Sequence, residues 1–186
     1  DSPYKDQDGR IRYSLLNNKL VDGKTNEVAL MILEIIEGIM INSSCEYVVE
    51  LGSGGGKNLL WFASKYKDIK FIGLELNKTS VDLANTAAKK FDIQNVEFYQ
   101  CDLTNTHEYK RFLTKKTFIY SHHTLEEMPR IYKIPLNEIK KSDVEIVALL
   151  EPIFMFSFSR IILDLAKRLR ILNKDRLFGL KKFSKR

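Results

Sequence analysis

Four glycines fall within five residues, Gly52, Gly54, Gly55 and Gly56, between the apolar run Val48-Val49-Glu50-Leu51 and a segment, Asn58 to Tyr66, that reads as a helix. The order is strand, tight turn, helix. Glycine lets the backbone take positive φ and lets a ligand come close, because no β-carbon intervenes. The free N–H groups at the start of the helix point back at the turn and make a small polar site there.

Two phosphate-binding patterns fail on this stretch. The Walker A pattern needs Ser or Thr after Gly-Lys, and Lys57 is followed by Asn58. The dinucleotide pattern G-x-G-x-x-G would need Gly where Lys57 stands. The spacing Glu50-x-Gly52-x-Gly54-x-Gly56 resembles the first motif of class I S-adenosylmethionine-dependent methyltransferases, (D/E)-x-G-x-G-x-G. Two further acidic strand ends follow in order. Lys70 to Leu74 reads as a strand ending at Glu75, 19 residues after Gly56, where open α/β sheets use a carboxylate to bind a ribose about 20 residues past the turn. Val96 to Gln100 reads as a strand ending at Cys101-Asp102. The resemblance covers about residues 45 to 152.

The resemblance implies S-adenosyl-L-methionine as cofactor. It implies that Gly52, Ser53, Gly54 and Gly56 shape the cofactor turn and that Glu50 supports it. Glu75 and Leu76 would lie at the ribose, Cys101, Asp102 and Leu103 at the adenine, and Ser121 at the end of the fourth strand. Bland alternatives stand beside these roles: Glu75 as a solvated strand terminus, Asp102 as the cap of a helix starting near Leu103.

Around the motif, strands and helices alternate, which means a doubly wound, Rossmann-like α/β fold with a mainly parallel sheet and helices on both faces. Helices are expected over about 25–41, 58–66, 79–91 and 136–140, with a weaker one over 107–113. Strands are expected over 47–51, 70–74, 96–100, 117–121 and 144–150, the last stopped by Pro152. Thr25 or Asn26 can cap the first helix, whose stripe of Val28, Met31, Ile32, Ile35, Ile36, Ile39 and Met40 should pack on the sheet. Asp8-Gly9 and Asp22-Gly23 are turn signals, and Ile11 to Leu16 between them is a short helix or an extended arm. Tyr4 and Tyr13 are candidates to cover the cofactor, or simply surface tyrosines. Only 34 residues follow Pro152, and a stripe of Ile161, Ile162, Leu165, Ala166, Leu169 and Leu172 claims many of them for a helix. Room for the family's closing C-terminal hairpin is therefore scarce: either the sheet is abridged, or the chain is a fragment of a longer one. The chain reads as one domain: a cap segment and helix over 1–43, a cofactor-binding core over 44–156, and a basic amphipathic helix and tail over 157–186.

Catalysis is expected where the fourth strand delivers Ser121-His122-His123-Thr124-Leu125-Glu126-Glu127-Met128-Pro129-Arg130 to the sheet edge. Methyl transfer from a sulfonium is an in-line displacement that depends mostly on alignment. A hydroxyl nucleophile also gains from a base that titrates near neutrality, so His122 or His123 is the candidate base. Glu126 and Glu127 are candidates to orient it or to bind substrate. The alternative is a packed histidine and solvated carboxylates. The loop loosely resembles the His-x-Leu-Glu-Gln-x-Pro loop of polysaccharide and natural-product methyltransferases, with Glu127 in place of Gln. The Asn-Pro-Pro-Tyr signature of amino and nucleobase methyltransferases is absent from the sequence.

Charge narrows the partners. The net charge is +6, but residues 160–186 carry ten Lys or Arg against Asp164 and Asp175, leaving −2 for the rest. The basic character belongs to the tail, so the whole-chain balance is no argument for nucleic acid. That tail can contact nucleic acid or an anionic membrane surface, or be the solvated face of a last helix. No run of 18 apolar residues suggests a transmembrane segment, and no signal peptide is visible. Asp1 in place of Met suggests that the true N-terminus precedes it. Cys45 and Cys101 form no disulfide framework or zinc spacing, which fits a reducing, cytoplasmic setting. The leading expectation is methyl transfer to a hydroxyl of a small molecule or sugar. An RNA methyltransferase, or a non-catalytic cofactor-binding or interaction module, is the alternative.

Overall fold

The computed structural model describes residues 11–16, 19–128 and 131–151, with side chains from residue 32 onward. Tyr4, the Asp8-Gly9 turn, the stripe over 161–172 and the basic tail lie outside the described residues. Two compact units divide at Ile39 and Met40.

In the first unit, strand β1 (Ile11–Leu16) pairs antiparallel with β2 (Lys19–Lys24), Ile11 opposite Lys24 and Leu16 opposite Lys19. The extended alternative for residues 11 to 16 is therefore the one adopted. Asp22 and Gly23, predicted as a turn, sit inside β2 opposite Tyr13 and Arg12; strand pairing overrides a local turn preference. Helix α1 (Thr25–Ile41) follows. Leu33, Ile36 and Met40 are buried, while Ile35 and Ile41 are exposed, so the buried stripe includes Leu33 and omits Ile35.

The second unit holds a five-stranded sheet of β3 (Tyr47–Leu51), β4 (Lys70–Glu75), β5 (Val96–Gln100), β6 (Thr117–His122) and β7 (Ile146–Leu150). Their order is β5-β4-β3-β6-β7, and every pairing is parallel. β3 is central, and the chain leaves it first toward β4 and later returns to its other side as β6. Right-handed crossovers then put α2 (Lys57–Lys65) and α3 (Lys78–Lys90) on one face and α4 (Lys133–Lys141) on the other. The C-terminal ends of β3, β4 and β6 meet at this reversal, where open α/β sheets bind ligands.

Alternation along the strands builds both cores. Val49, Leu51, Ile72, Leu74 and Ile119 pack with Leu136 and Ile139 of α4 and with Tyr109 and Leu113. Val48, Phe71 and Phe118, offset by one residue, are buried on the opposite face, where the Phe62 ring of α2 stacks on Phe71 at 6.4 Å between centroids. The edge strand β5 is partly covered: Asn85 of α3 donates to the Phe98 carbonyl at 2.9 Å and accepts from the Phe98 N–H at 3.2 Å. That occupies backbone groups which an open edge would offer to another chain.

Two helical readings shift. Residues 106–112 form two 3₁₀ turns, Thr106–Glu108 and Lys110–Phe112, in place of a helix. Glu108 bonds the Asp102 N–H at 2.9 Å, and Asn105 bonds Glu108 at 2.8 Å; such local side-chain bonds compete with a helical ladder. α4 begins at Lys133, ahead of Pro135, because a first-turn proline removes an N–H that the helix leaves unpaired anyway. No helix among the described residues is long and apolar enough to cross a membrane.

Gly73, in the middle of β4, is required by packing. A β-carbon there would stand 2.3 Å from Phe98 Cδ1 and 2.6 Å from Ser53 Oγ. Gly73→Ala is expected to cost about 1–3 kcal/mol by overpacking. Gly38→Ala, where nothing lies within 4 Å of the added carbon, should stabilise α1 by about 0.5–1 kcal/mol. Urea denaturation of both variants checks the contrast.

Candidate active site

The glycine loop leaves β3 with three residues in the left-handed region: Gly52 at φ 70°, Gly54 at 51° and Gly56 at 75°. The Gly52 and Ser53 N–H groups both donate to the Leu74 carbonyl, at 2.7 and 3.0 Å, so the loop folds back over the end of β4. Each glycine answers a different need. A β-carbon on Gly56 would stand 2.4 Å from the Phe98 ring. One on Gly52 would stand 2.2 Å from Thr124 Oγ1. Nothing lies within 4 Å of where a β-carbon on Gly54 would stand, so that side of its backbone is open to a ligand.

Glu75 holds this loop from the side of β4. Its Oε2 accepts from the Gly54 N–H at 2.9 Å, and its Oε1 accepts from the Asn77 N–H at 2.8 Å. Asn77 in turn caps α3, its side chain accepting from the Ser80 N–H at 3.1 Å. Glu75 is half-buried and Leu76, beside it, is exposed. Each Glu75 oxygen keeps acceptor capacity, since a carboxylate offers about four lone-pair sites.

Glu50 lies under the loop, only 2% exposed. Parallel register puts it between Gly73 of β4 and Tyr120 of β6. Its Oε1 accepts from Asn58 Nδ2 of α2 at 2.9 Å. Burial pushes its carboxyl up to about 8, against the pull of hydrogen bonds from Asn58 and Tyr120, and with a further push from Glu75. The group that the resemblance offers as the support of the turn is therefore mainly a neutral acid at pH 7. Ser53 is also buried, and its Oγ has no hydrogen-bond partner among the described residues.

The third acidic strand end is built differently. Asp102 is exposed, and its Oδ1 accepts from the Thr104 N–H at 2.8 Å and the Thr104 hydroxyl at 2.7 Å. Those bonds hold its carboxyl below the usual range. Asp102 thus caps a turn, while remaining at the C-terminal edge of β5. Cys101 and Leu103 are buried. The Cys101 N–H donates to the Glu75 carbonyl at 2.8 Å, and its thiol is pushed up to about 12 by burial first and by Glu108 and Asp102 after it, so it serves packing rather than nucleophilic chemistry.

On the other side of the loop, β6 delivers the histidines. His123 takes φ 55°, uncommon for a residue with a side chain. Its Nδ1 lies 2.6 Å from Glu126 Oε1, and its ring meets His122 edge-on at 4.6 Å. His122 is half-buried, and its Nε2 has no hydrogen-bond partner among the described residues. Burial, then the neighbouring His123, lowers its pKa below the ordinary value, with Glu151 and Glu126 pulling the other way. His123 and Glu126 thus come together as a pair, while the Glu127 side chain is exposed beyond them. Ser121, fully buried, donates from Oγ to Glu151 Oε1 at 2.7 Å.

Four participants escape sequence reasoning. Gly73, Thr124, Asn58 and Glu151 each act through contacts between elements. Glu151 does carry a signal: like Glu75 and Asp102, it is an acidic residue at or just past the C-terminal end of a strand.

The buried Glu50 predicts a pH dependence. Between about 4.5 and 8 the folded protein holds a proton that the unfolded chain has released, so stability falls as pH rises through that window. The slope approaches about 1.4 kcal/mol per pH unit. Glu50→Gln should flatten this decline, which thermal unfolding from pH 5 to 8 would reveal; an equal decline in both proteins would contradict the burial account.

Residues 42–152, more than half of the chain, match the family described as "Methyltransferase domain". An uncharacterized protein of Rickettsia prowazekii is 29% identical over 86 residues, covering 46% of this chain and 15% of that protein. A tRNA (guanine-N(7)-)-methyltransferase of Prochlorococcus marinus is 33% identical over 55 residues, covering 30% of this chain and 26% of the enzyme. The chain therefore spans only a minor part of the length of these curated relatives. Among solved structures, coclaurine N-methyltransferase bound to N-methylheliamine and SAH superposes with a TM-score of 0.51 at 17% identity, over 74% of this chain and 39% of that one. With its glycine loop, its acidic strand ends and its sheet order, this chain belongs to the methyltransferase-domain family, within the class I S-adenosylmethionine-dependent superfamily.

Proposed function

We propose that this chain is an S-adenosylmethionine-dependent methyltransferase that transfers a methyl group to a hydroxyl of a small molecule or sugar. The observation that carries the cofactor assignment is the Glu75 carboxylate held against the Gly54 N–H at 2.9 Å, at the sheet's point of reversal. The residues present fit that cofactor. Glu75 has acceptor capacity for ribose hydroxyls, the space over Gly54 admits a ligand to the backbone, and Leu76 offers an exposed apolar surface. Glu50, Gly52, Ser53 and Gly56 form the turn, and Cys101, Asp102 and Leu103 form the far edge. The solved coclaurine N-methyltransferase supports the reading, being a protein of this fold bound to SAH.

When bound, the cofactor supplies an electrophilic methyl group on a sulfonium. The chain supplies alignment and a proton acceptor. Glu126 accepts from His123 Nδ1–H, which leaves the His123 Nε2 lone pair free to take the proton of an acceptor hydroxyl. His122, kept neutral by burial, is the second candidate base. Glu127, exposed at the same loop, is a candidate substrate contact.

A second reading is methyl transfer to a nucleobase of RNA. It draws on the tRNA methyltransferase relatives, which are 33% and 35% identical over 55 and 54 residues. Incubation with methyl-labelled cofactor and separated cellular fractions divides the two readings: label in a sugar or metabolite fraction supports the first, and label in RNA supports the second.

Two variants test the residue roles. Glu75→Ala should weaken calorimetric binding of S-adenosylmethionine at least about tenfold, in keeping with a lost charge-assisted hydrogen bond of about 1.5–3 kcal/mol; unchanged affinity would remove Glu75 from the site. His123→Ala should slow turnover about 10²–10⁴-fold with cofactor affinity preserved, and an unchanged rate would dismiss it as the base.

A further inference from the structure

The exposed loop that carries His123 and Glu126 is held by a residue from another strand. Register pairs His122 with Leu150, so Glu151 lies just past the end of β7, alongside the start of that loop. Its Oε1 accepts from Ser121 Oγ at 2.7 Å and from the Thr124 N–H at 3.1 Å. Its Oε2 accepts from the Thr124 N–H at 3.0 Å and the Glu126 N–H at 3.3 Å. The carboxylate thereby satisfies N–H groups at the start of the 3₁₀ turn Leu125–Glu127, the groups that such a turn leaves without internal partners. The adjoining backbone is tied to the same strand end, with the His123 N–H directed at the Leu150 carbonyl at 3.4 Å.

We infer that Glu151 is the positioning residue of this site: by clamping the Thr124 and Glu126 N–H groups to the end of β7, it sets the His123–Glu126 pair and seats Thr124 on the glycine loop. The inference rests on the proposed function for its meaning in catalysis, but not for its geometry. The clamp has two consequences. First, His123 stays in its left-handed conformation, with the Glu126 carboxylate within 2.6 Å of Nδ1. Because the pair is only three residues apart on an exposed loop, nothing in its own sequence would hold that geometry against solvent; the fixed point is Glu151. Second, Thr124 Oγ1 is kept 3.3 Å from the Gly52 carbonyl, at the spot where a Gly52 side chain would collide with it. The loop with the candidate base and the loop at the cofactor turn are thus locked to each other through one threonine, and that threonine is locked by Glu151.

The test is a comparison of the wild type with Glu151→Gln by long-range ¹H–¹⁵N spectroscopy of the histidine rings. The glutamine keeps the side-chain volume but has one acceptor oxygen in place of two: with that oxygen on Ser121 and the Thr124 N–H, its NH2 group faces the Glu126 N–H, which loses its acceptor. In the wild type, neutral His123 should be mainly the Nδ1–H tautomer, donating to Glu126. In Glu151→Gln that preference should be lost, giving way to the Nε2–H form that free imidazole favours. His122 should titrate lower still, because one of the two carboxylates that oppose the lowering, Glu151 and Glu126, has been neutralised while burial and His123 remain. Glu126→Ala, which removes the partner directly, should reproduce the His123 signature. An unchanged His123 tautomer in a folded Glu151→Gln protein would overturn the inference.

A second measurement needs no variant. The Thr124 and Glu126 amides of the wild type should be protected from hydrogen exchange, although both lie in a loop; free exchange of either would also overturn it. Neither measurement requires methyl transfer. If S-adenosylmethionine fails to bind the wild type while the tautomer result holds, the functional reading fails and the clamp survives.

Discussion

The hydrogen bond from the Gly54 N–H to the Glu75 carboxylate fixes the site, because it ties the loop after the central strand to the end of its neighbour. A loop with three left-handed residues has little rigidity of its own. Here it is held from both flanks. From β4, Glu75 and the Leu74 carbonyl take its N–H groups. From β6, Thr124 donates to the Gly52 carbonyl. The two flanks are available only because β3 lies at the reversal of strand order, with β4 on one side and β6 on the other. Sheet topology, loop chemistry and site are therefore one arrangement.

Four acidic residues at this edge do four different things, and burial and partners decide which. Glu50, deep beneath the loop, is mostly protonated near neutral pH because desolvation outweighs its hydrogen bonds. Glu75, half-buried, receives backbone N–H groups from two loops and retains lone pairs for a ligand. Asp102, in solvent, is stabilised as a carboxylate by Thr104 and closes a turn. Glu151 gathers a hydroxyl and two N–H groups from the β6 loop. Position at or just past a strand end is common to Glu75, Asp102 and Glu151; their partners divide them.

That contrast explains what could be read in the sequence and what could not. The strands over 47–51 and 96–100 and the glycine turn are encoded locally, by apolar alternation and by the need for positive φ, and the structure has them there. Glu75 and Asp102 were visible as acidic strand ends, but their difference was not, since only Thr104 and Gly54 distinguish a turn cap from a loop anchor. Gly73 was invisible because the ring that crowds it, Phe98, belongs to the next strand. Glu151 was read only as the end of a strand, because its partners lie 25 to 30 residues earlier and meet it through the pairing of β6 with β7. The sequence suggests a weak helix over 107–113, while bonds among Asp102, Asn105 and Glu108 accompany two short turns over 106–112.

The central claim is that the glycine loop and the acidic strand ends beside it form a single cofactor site. Backbone amide chemical shifts of the protein, followed during titration with S-adenosylhomocysteine, test it most directly. The account predicts saturable shifts concentrated at Gly52–Gly56, Glu75–Asn77 and Cys101–Leu103. A titration that leaves those amides unmoved, or that moves only residues remote from the C-terminal ends of β3, β4 and β5, would contradict it.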